Sequence, residues 1–543
     1  MPSLWWPSAL LAARLAAACF MPIADCDETF NYLEPVHYIH FGNGLQTWEY
    51  SPNYALRSYL YLALYTPVLH LAKLISKDKL FAFYLLRCSI AAFSAACEYR
   101  LLKSVRIAFG DSVYWCASLF FVFNTGMAHA SIAFLPSSFA MSMLMLGWSH
   151  WIHGMVEASK RSYSVAVGCV GFAVLLGWPF AALAGAILAI ESMWTIGCLF
   201  FLRLVLGWGV MLTLPIILVD SYFYGRVVCA PLNIFLYNFS VSHDGGSQLY
   251  GVEPASYYVR NLLLNFNLLF AAAAIWPVIC IMRPSHRTNK EKYGDGALAR
   301  GKRVLLVLAA HAWIFFFSAI PHKEERFLYP IYPLVLIAAA AFFVDILPCF
   351  YRLLPWARVI INYLCTFIKA ISVCLSVSRI AAMVLYYRAP IQVYGTLSRQ
   401  LAVTDKPQTV CVGKEWYRFP SSFFLPSEDK RIGFIRSGFR GLLPSPFLYP
   451  APQGTRFAPL HFNDENREEA SQYTSIDECD WVVELMEGAE DWKRWGGPTW
   501  SLWHSSPFLS SSETDTFSRV LWIPLISRPV WAKYAVFRKS ERP

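Results

Sequence analysis

Apolar residues dominate the first 388 positions in a series of runs, many close to 20 residues long and separated by short polar segments. A helix of about 20 residues crosses the roughly 30 Å hydrocarbon layer of a bilayer. The pattern therefore predicts a mainly α-helical, polytopic membrane protein with about eleven transmembrane helices. These are expected at Leu4–Met21, Lys79–Ser104, Ser112–Val122, Phe139–Met155, Tyr163–Trp178, Ala181–Met193, Cys198–Val219, Leu262–Ile281, Val304–Ile320, Leu328–Leu347 and Val359–Ser376.

Two apolar runs need separate treatment. The run from Leu4 to Met21 has the length of a cleaved secretory signal, but it lacks a basic amino end, which favours a retained helix. The run from Tyr59 to Leu74 is interrupted by a proline, a histidine and a lysine, so we expect it to lie along the membrane face or to re-enter rather than to cross.

The pattern changes after Arg388 to a mixed-charge chain with short β-rich runs between Pro, Ser and Gly turns. Such runs are typical of strands in a soluble α/β domain. We therefore predict a membrane domain over residues 1–388 and a soluble C-terminal domain over residues 389–543. The predicted strands are Thr409–Val412, Trp481–Leu485, Val520–Ile526 and Tyr534–Arg538.

Charge gives the orientation of the membrane domain. Residues 389–543 hold 18 basic and 18 acidic side chains, so the net charge of +10 lies in residues 1–388. Basic loops stay on the cytoplasmic side, and the loop 283–303, with seven Lys and Arg against two acids, indicates that side best. Loops 23–78, 220–260 and 321–327 and the C-terminal domain then face the other side. A composition of 56% apolar and 15% charged residues excludes a soluble enzyme, and this distribution of charge argues against a nucleic-acid partner.

The strongest local signal is an acidic loop that starts with Asp25, Asp27 and Glu28. Residues 23–55 contain five acids and no Lys or Arg. Adjacent carboxylates repel one another, and burial raises their pKa, so such a pair suits a general base acting on a hydroxyl. A solvated loop that only fixes topology explains the same pattern.

The second signal is the run from Pro321 to Pro330, which contains His322, Lys323, Glu324, Glu325 and Arg326 between two apolar helices. Charges so dense are costly in a membrane protein unless they face a cavity or an interface. Lysine and arginine at this place are suited to neutralising a phosphate group. The alternative is a cluster that reaches the lipid headgroups.

Several strings carry a resemblance to a known family: DETFNYLEP, QTWEYSPNYALRSY, FLPSSFAM, GWPF, DSYFYGR, APLNIFLYN, LYGVEP, HKEERFLYPIYPL and VCVGKEWYRFPSSF. They resemble the dolichyl-phosphate-mannose-dependent mannosyltransferases with a GT-C fold, glycosyltransferase family twenty-two. The longer strings are most similar to its α-1,2-mannosyltransferases of lipid-linked oligosaccharide assembly.

The resemblance implies an enzyme of the endoplasmic reticulum membrane whose active site and C-terminal domain are luminal. It would transfer mannose from dolichyl phosphate mannose to dolichyl-diphosphate Man6GlcNAc2 and Man8GlcNAc2 in protein N-glycosylation. The α-1,2 linkages would form by one inverting displacement. Three alternatives stay open: a sister mannosyltransferase acting on glycosylphosphatidylinositol, a membrane transporter, and, for the C-terminal domain alone, a structural or chaperone role.

The chemistry and the family motif together suggest roles for single residues. Asp27 is the expected general base, with Glu28 as orienting partner or alternate base and Asp25 less suited. His322, Lys323 and Arg326 are expected to bind the donor phosphate, and Glu324 to hold these cations. No metal and no cofactor are expected. Weaker candidates for sugar contacts, which burial or helix capping would explain as well, are Glu34, Glu49, Tyr250 and Glu253.

Two further sites follow from a luminal location. Cys411 and Cys479 flank β-like runs and would meet an oxidising compartment, so they are candidates for a disulfide, although the sequence cannot supply their separation. Asn238 begins the Asn-Phe-Ser sequon and is a candidate for glycosylation, unless it packs near the membrane.

The topology can be tested at Ser247, inside the predicted luminal loop 220–260. A cysteine placed there should react with a membrane-impermeant thiol reagent only when the luminal side is opened, because the positive loops hold the other side in the cytosol. Labelling of intact and permeabilised microsomes measures this. Labelling from the cytosolic side alone would overturn the topology.

Overall fold

The computed structural model of the protein describes residues 5–239, 251–282, 298–495 and 497–540. Helices form most of it, as the apolar runs predict. The α-helices of eight or more residues in the described part are Trp5–Phe20, Glu34–Phe41, Thr66–Ile75, Lys79–Phe109, Asp111–Phe123, Pro136–Glu157, Lys160–Phe172, Ala182–Ile196, Cys198–Tyr224, Ala230–Phe239, Tyr257–Phe266, Leu268–Met282, Arg300–Ala319, Tyr332–Leu353, Arg358–Tyr387 and Ala389–Leu401.

Six helical segments in the described residues are long and apolar enough to cross a membrane: Lys79–Phe109, Pro179–Ile196, Cys198–Tyr224, Arg300–Ala319, Glu325–Leu353 and Pro355–Tyr387. A seventh would be the pair Tyr257–Phe266 and Leu268–Cys280, which is bent by 110°. The polytopic membrane architecture is thus confirmed, whereas the count of eleven crossings stays a prediction. The run at Tyr59–Leu74 forms two short helices, Tyr59–Ala63 and Thr66–Ile75.

The chain divides into two compact units. The first comprises Met1–Ala17, Ile90–Pro215 and His243–Ile380, and the second comprises Ala18–Ser89, Ile216–Ser242 and Ala381–Pro543. The C-terminal part of the second unit begins close to the predicted boundary at residue 388. The same unit also includes the whole of the acidic loop 23–78. The hydropathy pattern depends only on residues that are close together in the sequence. It could not predict that these distant segments pack together.

In the first unit, Arg14 forms a fully buried ion pair with Glu98. Its Nε and Nη2 atoms donate to the two carboxylate oxygens at 2.8 and 2.7 Å, and Ser94 donates to the same carboxylate at 3.1 Å. An isolated buried charge is costly, and a bidentate partner offsets that cost. This pair explains how the run Leu4–Met21 contains one arginine.

A second buried carboxylate, Glu191, joins four helices of the first unit. It accepts hydrogen bonds from Trp151 at 2.8 Å, from the hydroxyl of Tyr163 at 3.0 Å and from Thr195 at 2.8 Å. Lys302 lies 3.3 Å away and supplies the opposite charge. Because both of its oxygens accept hydrogen bonds, this buried carboxylate fixes the relative positions of the helices that donate to it.

The C-terminal residues of the second unit contain a five-stranded sheet. Its order is Lys430–Phe434, Gln408–Val412, Trp481–Met486, Trp531–Lys539, Trp500–Leu509. The first three strands are parallel, and the last two are antiparallel to their neighbours. The predicted strand at Val520–Ile526 is wrong, because residues 516–520 form a short helix and residues 521–526 an irregular turn.

Cys411 and Cys479 are joined by a disulfide at this sheet. Their Cα atoms lie 5.7 Å apart. Cys411 belongs to the strand Gln408–Val412, and Cys479 lies two residues before the start of the neighbouring parallel strand Trp481–Met486. The side chains of both cysteines belong to the buried core of the sheet, together with Val482, Ala535 and Phe537.

The buried carboxyl of Glu484 should make the stability of this sheet depend on pH. Burial raises its pKa from about 4.5 to about 7. The protonated form therefore stabilises the fold, fully below pH 4.5, and this contribution is lost as the pH rises through 7. We expect Glu484→Gln to raise the free energy of unfolding at pH 8 by about 1–3 kcal/mol, with little change at pH 4.5.

Thermal unfolding of the full chain in detergent between pH 4.5 and 8 measures this difference. Glu478→Gln is the matched control, because that side chain in the same region is exposed. Equal shifts for both variants at all pH values would contradict the role of burial.

Candidate functional site

The acidic loop forms a tight turn that leads into an irregular helix. The side chain of Asp25 accepts a hydrogen bond from the backbone N–H of Asp27 at 2.9 Å, and its carbonyl accepts from Glu28 at 3.1 Å. Residues Glu28–Leu33 then form a π-helix. Such helices are rare and are often found at functional sites.

The two central acids of the loop differ in exposure. Asp27 is partly exposed at the start of the π-helix, whereas Glu28 is 2% exposed. Glu28 acts electrostatically on the buried guanidinium of Arg87, which donates a hydrogen bond to the carbonyl of Met21 at 3.1 Å. The carboxylate of Glu28 is thus committed inside the protein. Of the two carboxylates, that of Asp27 is the more exposed.

The side chains of Asp25, Cys26 and Asp27 bring their ligand atoms within 4.8 Å of one another. A structural zinc site has four ligands and a calcium site six or more. This group offers three, and it mixes a soft thiol with two hard carboxylates. The expected absence of a metal stays a prediction.

Arg57, which the sequence did not single out, organises the side of the loop next to Asp27. It donates to the two carboxylate oxygens of Glu49 at 2.7 and 3.1 Å and to the hydroxyl of Tyr32 at 2.8 Å. Burial lowers the pKa of Arg57, but Glu49, Tyr32 and Asp27 together raise it above its ordinary value. A permanent positive charge therefore stands near the Asp27 carboxylate.

Glu34, predicted as a sugar contact, is enclosed instead. It is fully buried and accepts hydrogen bonds from the Ser422 hydroxyl at 2.8 Å, the Ser422 N–H and the Leu45 N–H at 2.9 Å. Burial raises the pKa of Glu34, and these hydrogen bonds oppose the shift. We therefore remove Glu34 from the sugar contacts and give it an internal role.

In the first unit, Glu324 holds two of the predicted cations of the turn. It forms an ion pair with Arg326 and contacts His322 Nε2 at 3.0 Å. The other ring nitrogen of His322 contacts the carbonyl of Gly251 at 3.0 Å. Both partners are acceptors, so a doubly protonated imidazole ring would satisfy both contacts. Burial lowers the pKa of His322, but its hydrogen bond to Glu324 and the charge of that carboxylate raise it above the ordinary value.

Lys323 lies in a different environment from the other two cations. It is 6% exposed, and its ammonium donates to the carbonyls of Glu253 at 2.8 Å, Pro321 at 3.5 Å and Ile320. An ammonium has three protons, so backbone carbonyls account for all of its donors. The structure therefore gives Lys323 a role in holding the turn and not the predicted contact with a phosphate.

Glu325 is a further member of the turn, and its type and position alone suggested no role for it. Its Oε1 atom lies 2.8 Å from His129 Nε2 and accepts from Asn265 at 2.8 Å. Asn265 also donates to the hydroxyl of Tyr332 at 3.2 Å, and the backbone carbonyl of Asn265 accepts a hydrogen bond from the side chain of Asn124. The dense charge in residues 322–326 indicated that Glu325 belongs to a functional turn. It could not identify the partners of Glu325, because they lie on helices far away in the sequence.

Comparison with known proteins identifies the family. The model of the Alg9-like mannosyltransferase family matches residues 5–426. The chain belongs to this family.

Individual relatives extend the match beyond residue 426. Alpha-1,2-mannosyltransferase ALG9 of Mus musculus is 38% identical, covering 98% of this chain and 88% of the relative. Alpha-1,2-mannosyltransferase ALG9 of Saccharomyces cerevisiae is 31% identical, covering 93% of this chain and 89% of the relative. Among solved structures, ArnT from Cupriavidus metallidurans bound to undecaprenyl phosphate has a TM-score of 0.55 at 12% identity, covering 98% and 97%. That likeness concerns the fold, which is that of GT-C membrane glycosyltransferases. The predictions of family and of an enzyme are confirmed.

The remaining predicted residues of this mannosyltransferase are less informative. Glu253 is partly exposed and lies 3.9 Å from Arg260, while its backbone binds the turn. Asn238 is exposed and donates to the carbonyl of Ile234 at 2.7 Å. Tyr250 lies outside the described residues, as do Ser240 of the sequon and residues 283–297 of the basic loop. Glycosylation of Asn238 stays a prediction.

The structure predicts that Lys323 acts on stability. Lys323→Met should lower the free energy of unfolding by about 1–3 kcal/mol, because buried carbonyls lose a charged donor. Thermal unfolding in detergent measures this, with the exposed Lys77→Met as the control. If Lys323→Met left the unfolding temperature unchanged but weakened binding of the donor, Lys323 would instead bind the donor phosphate, as the sequence predicts.

Proposed function

We propose that the enzyme transfers mannose from dolichyl phosphate mannose to lipid-linked oligosaccharide in the endoplasmic reticulum membrane. The acceptors are dolichyl-diphosphate Man6GlcNAc2 and Man8GlcNAc2, and the linkages formed are α-1,2. The ALG9 relatives, named as α-1,2-mannosyltransferases and matched over nearly the whole chain, support this proposal. Family membership argues against the transporter alternative.

The observation that carries the mechanism is the different burial of Asp27 and Glu28. The partly exposed Asp27 removes the proton from the 2-hydroxyl of the acceptor mannose. The hydroxyl oxygen attacks C1 of the donor mannose while the bond from C1 to the phosphate oxygen breaks. One displacement inverts the β-mannosyl donor into an α-linked product. Glu28 supports the loop through Arg87 and does not take the proton.

His322 and Arg326 are assigned to the leaving phosphate. Arg326 carries a positive charge, the raised pKa of His322 favours its protonated form, and Glu324 contacts both side chains. Cations fixed in advance stabilise charge that develops on a leaving group without reorganisation during the reaction. The donor carries a single phosphate, so the proposal includes no metal and no cofactor. The reaction is assigned to the luminal side.

The test compares three acid-to-amide changes in the loop. Asp27→Asn should lower turnover by about 10²–10⁴, because it removes the base while keeping the shape of the side chain. Asp25→Asn is the matched control, because an amide oxygen can still accept the hydrogen bond from the N–H of Asp27. Glu28→Gln should reduce thermal stability more than turnover, since it leaves Arg87 without its charge partner.

Purified full-length protein is incubated with dolichyl phosphate mannose and lipid-linked glycans of graded size, and the products are read by mass spectrometry. Binding of the donor is measured separately. If Asp27→Asn extends the glycan at the parent rate while Glu28→Gln does not, Glu28 is the base. Extension of none of the proposed acceptors by the parent protein would refute the assigned substrates.

A further inference from the structure

The C-terminal segment 416–424 packs directly on the π-helix that follows Asp27. The rings of Trp416 and Phe419 stack on the ring of Phe30, with centroids 5.8 and 6.3 Å apart. Phe434 adds an edge contact at 6.4 Å. Stacked and edge contacts of this kind contribute beyond the area they bury. The middle of the helix is therefore held by residues nearly 400 positions later in the chain.

Polar contacts join the same two segments on either side of Phe30. The hydroxyl of Thr29 donates to the carbonyl of Pro420 at 3.2 Å. Directly after the helix, Glu34 accepts from the N–H and the hydroxyl of Ser422. Thr29 and Glu34 are fully buried, and Ser422 is 3% exposed. A buried carboxylate that loses a donor is penalised strongly, so these contacts fix the geometry tightly.

The π-helix needs such support. Its hydrogen bonds span five residues, and it occurs mostly as a single turn inside longer helices. Asp27 is the residue immediately before it, so the position of the carboxylate depends on how the helix is held. Reaction rates are sensitive to this, because a shift of about 1 Å in a reacting group can cost about 10²-fold.

We propose that the segment 416–424 is a positioning element for Asp27, with Ser422 acting through Glu34 and Pro420 through Thr29. The C-terminal region then belongs to the catalytic unit and is not an accessory domain. This inference rests on the proposed function of Asp27 as the general base.

The experiment uses two variants on opposite sides of the contact, in the full-length protein. Ser422→Ala removes a hydroxyl donor to Glu34, and Thr29→Val removes the donor to Pro420 without changing the shape. Each should lower kcat by about 10-fold while the KM for dolichyl phosphate mannose stays within twofold, because the base is displaced but the donor contacts are not. Ser422→Thr, which keeps the hydroxyl, should restore most of the rate.

Ser518→Ala is the matched control. It is a buried serine of the same C-terminal region, 2% exposed, and its hydroxyl accepts from the N–H of Arg528 at 2.9 Å. It should leave kcat within twofold of the parent. Thermal unfolding of all variants shows whether a loss of rate merely follows a loss of folded protein.

Coupling to Asp27 decides between positioning and general support. In the Asp27→Asn background, Ser422→Ala should reduce the remaining rate by less than twofold, since the group that it positions is already gone. The same 10-fold loss in both backgrounds would overturn the inference. So would a parental kcat for both Ser422→Ala and Thr29→Val when Asp27→Asn is inactive. A fully active Asp27→Asn refutes the base and the inference together.

Discussion

The acidic loop depends on one interaction, which is the set of hydrogen bonds around the enclosed carboxyl group of Glu34. A buried carboxyl group without water must receive its hydrogen bonds from the protein, and here they come from Leu45 and Ser422. Residues 34 and 422 are thereby tied together across 388 positions of the chain. The shape of the loop in the folded protein therefore includes direct hydrogen bonds to the C-terminal region. A carboxylate that looked like a sugar contact thus explains why the two regions form one compact unit.

Much of the helical framework could be predicted, because hydropathy is a local property. The predicted spans Lys79–Ser104 and Cys198–Val219 correspond to the helices Lys79–Phe109 and Cys198–Tyr224. The prediction of a strand at Val520–Ile526 was wrong because an apolar run of seven residues does not distinguish a strand from a largely exposed turn. The division into units was not predictable, since it depends on contacts between segments far apart in sequence.

The candidate site was predictable by residue type but not by role. Adjacent acids such as Asp27 and Glu28 look alike in a sequence, and only their burial separates them. Arg57 and Arg87 carried no signal, because a single arginine in a loop or an apolar run is equally consistent with a lipid headgroup contact. Their roles come from partners, namely Glu49 and Tyr32 for Arg57 and Glu28 for Arg87.

The turn at 322–326 shows that the number of charged residues in a motif differs from the number that a substrate can contact, because some of them are engaged inside the protein. Lys323 gives its protons to backbone carbonyls, so it holds the chain around Glu253 and Pro321. Glu325 is likewise engaged by His129 and Asn265. What remains is a pair of cations, His322 and Arg326, arranged around one carboxylate. The carboxylate contributes to that pair in two ways, because it raises the pKa of the imidazole and forms an ion pair with the guanidinium. A phosphate that approached would therefore meet two charges already in place, which is the condition for electrostatic stabilisation of a leaving group.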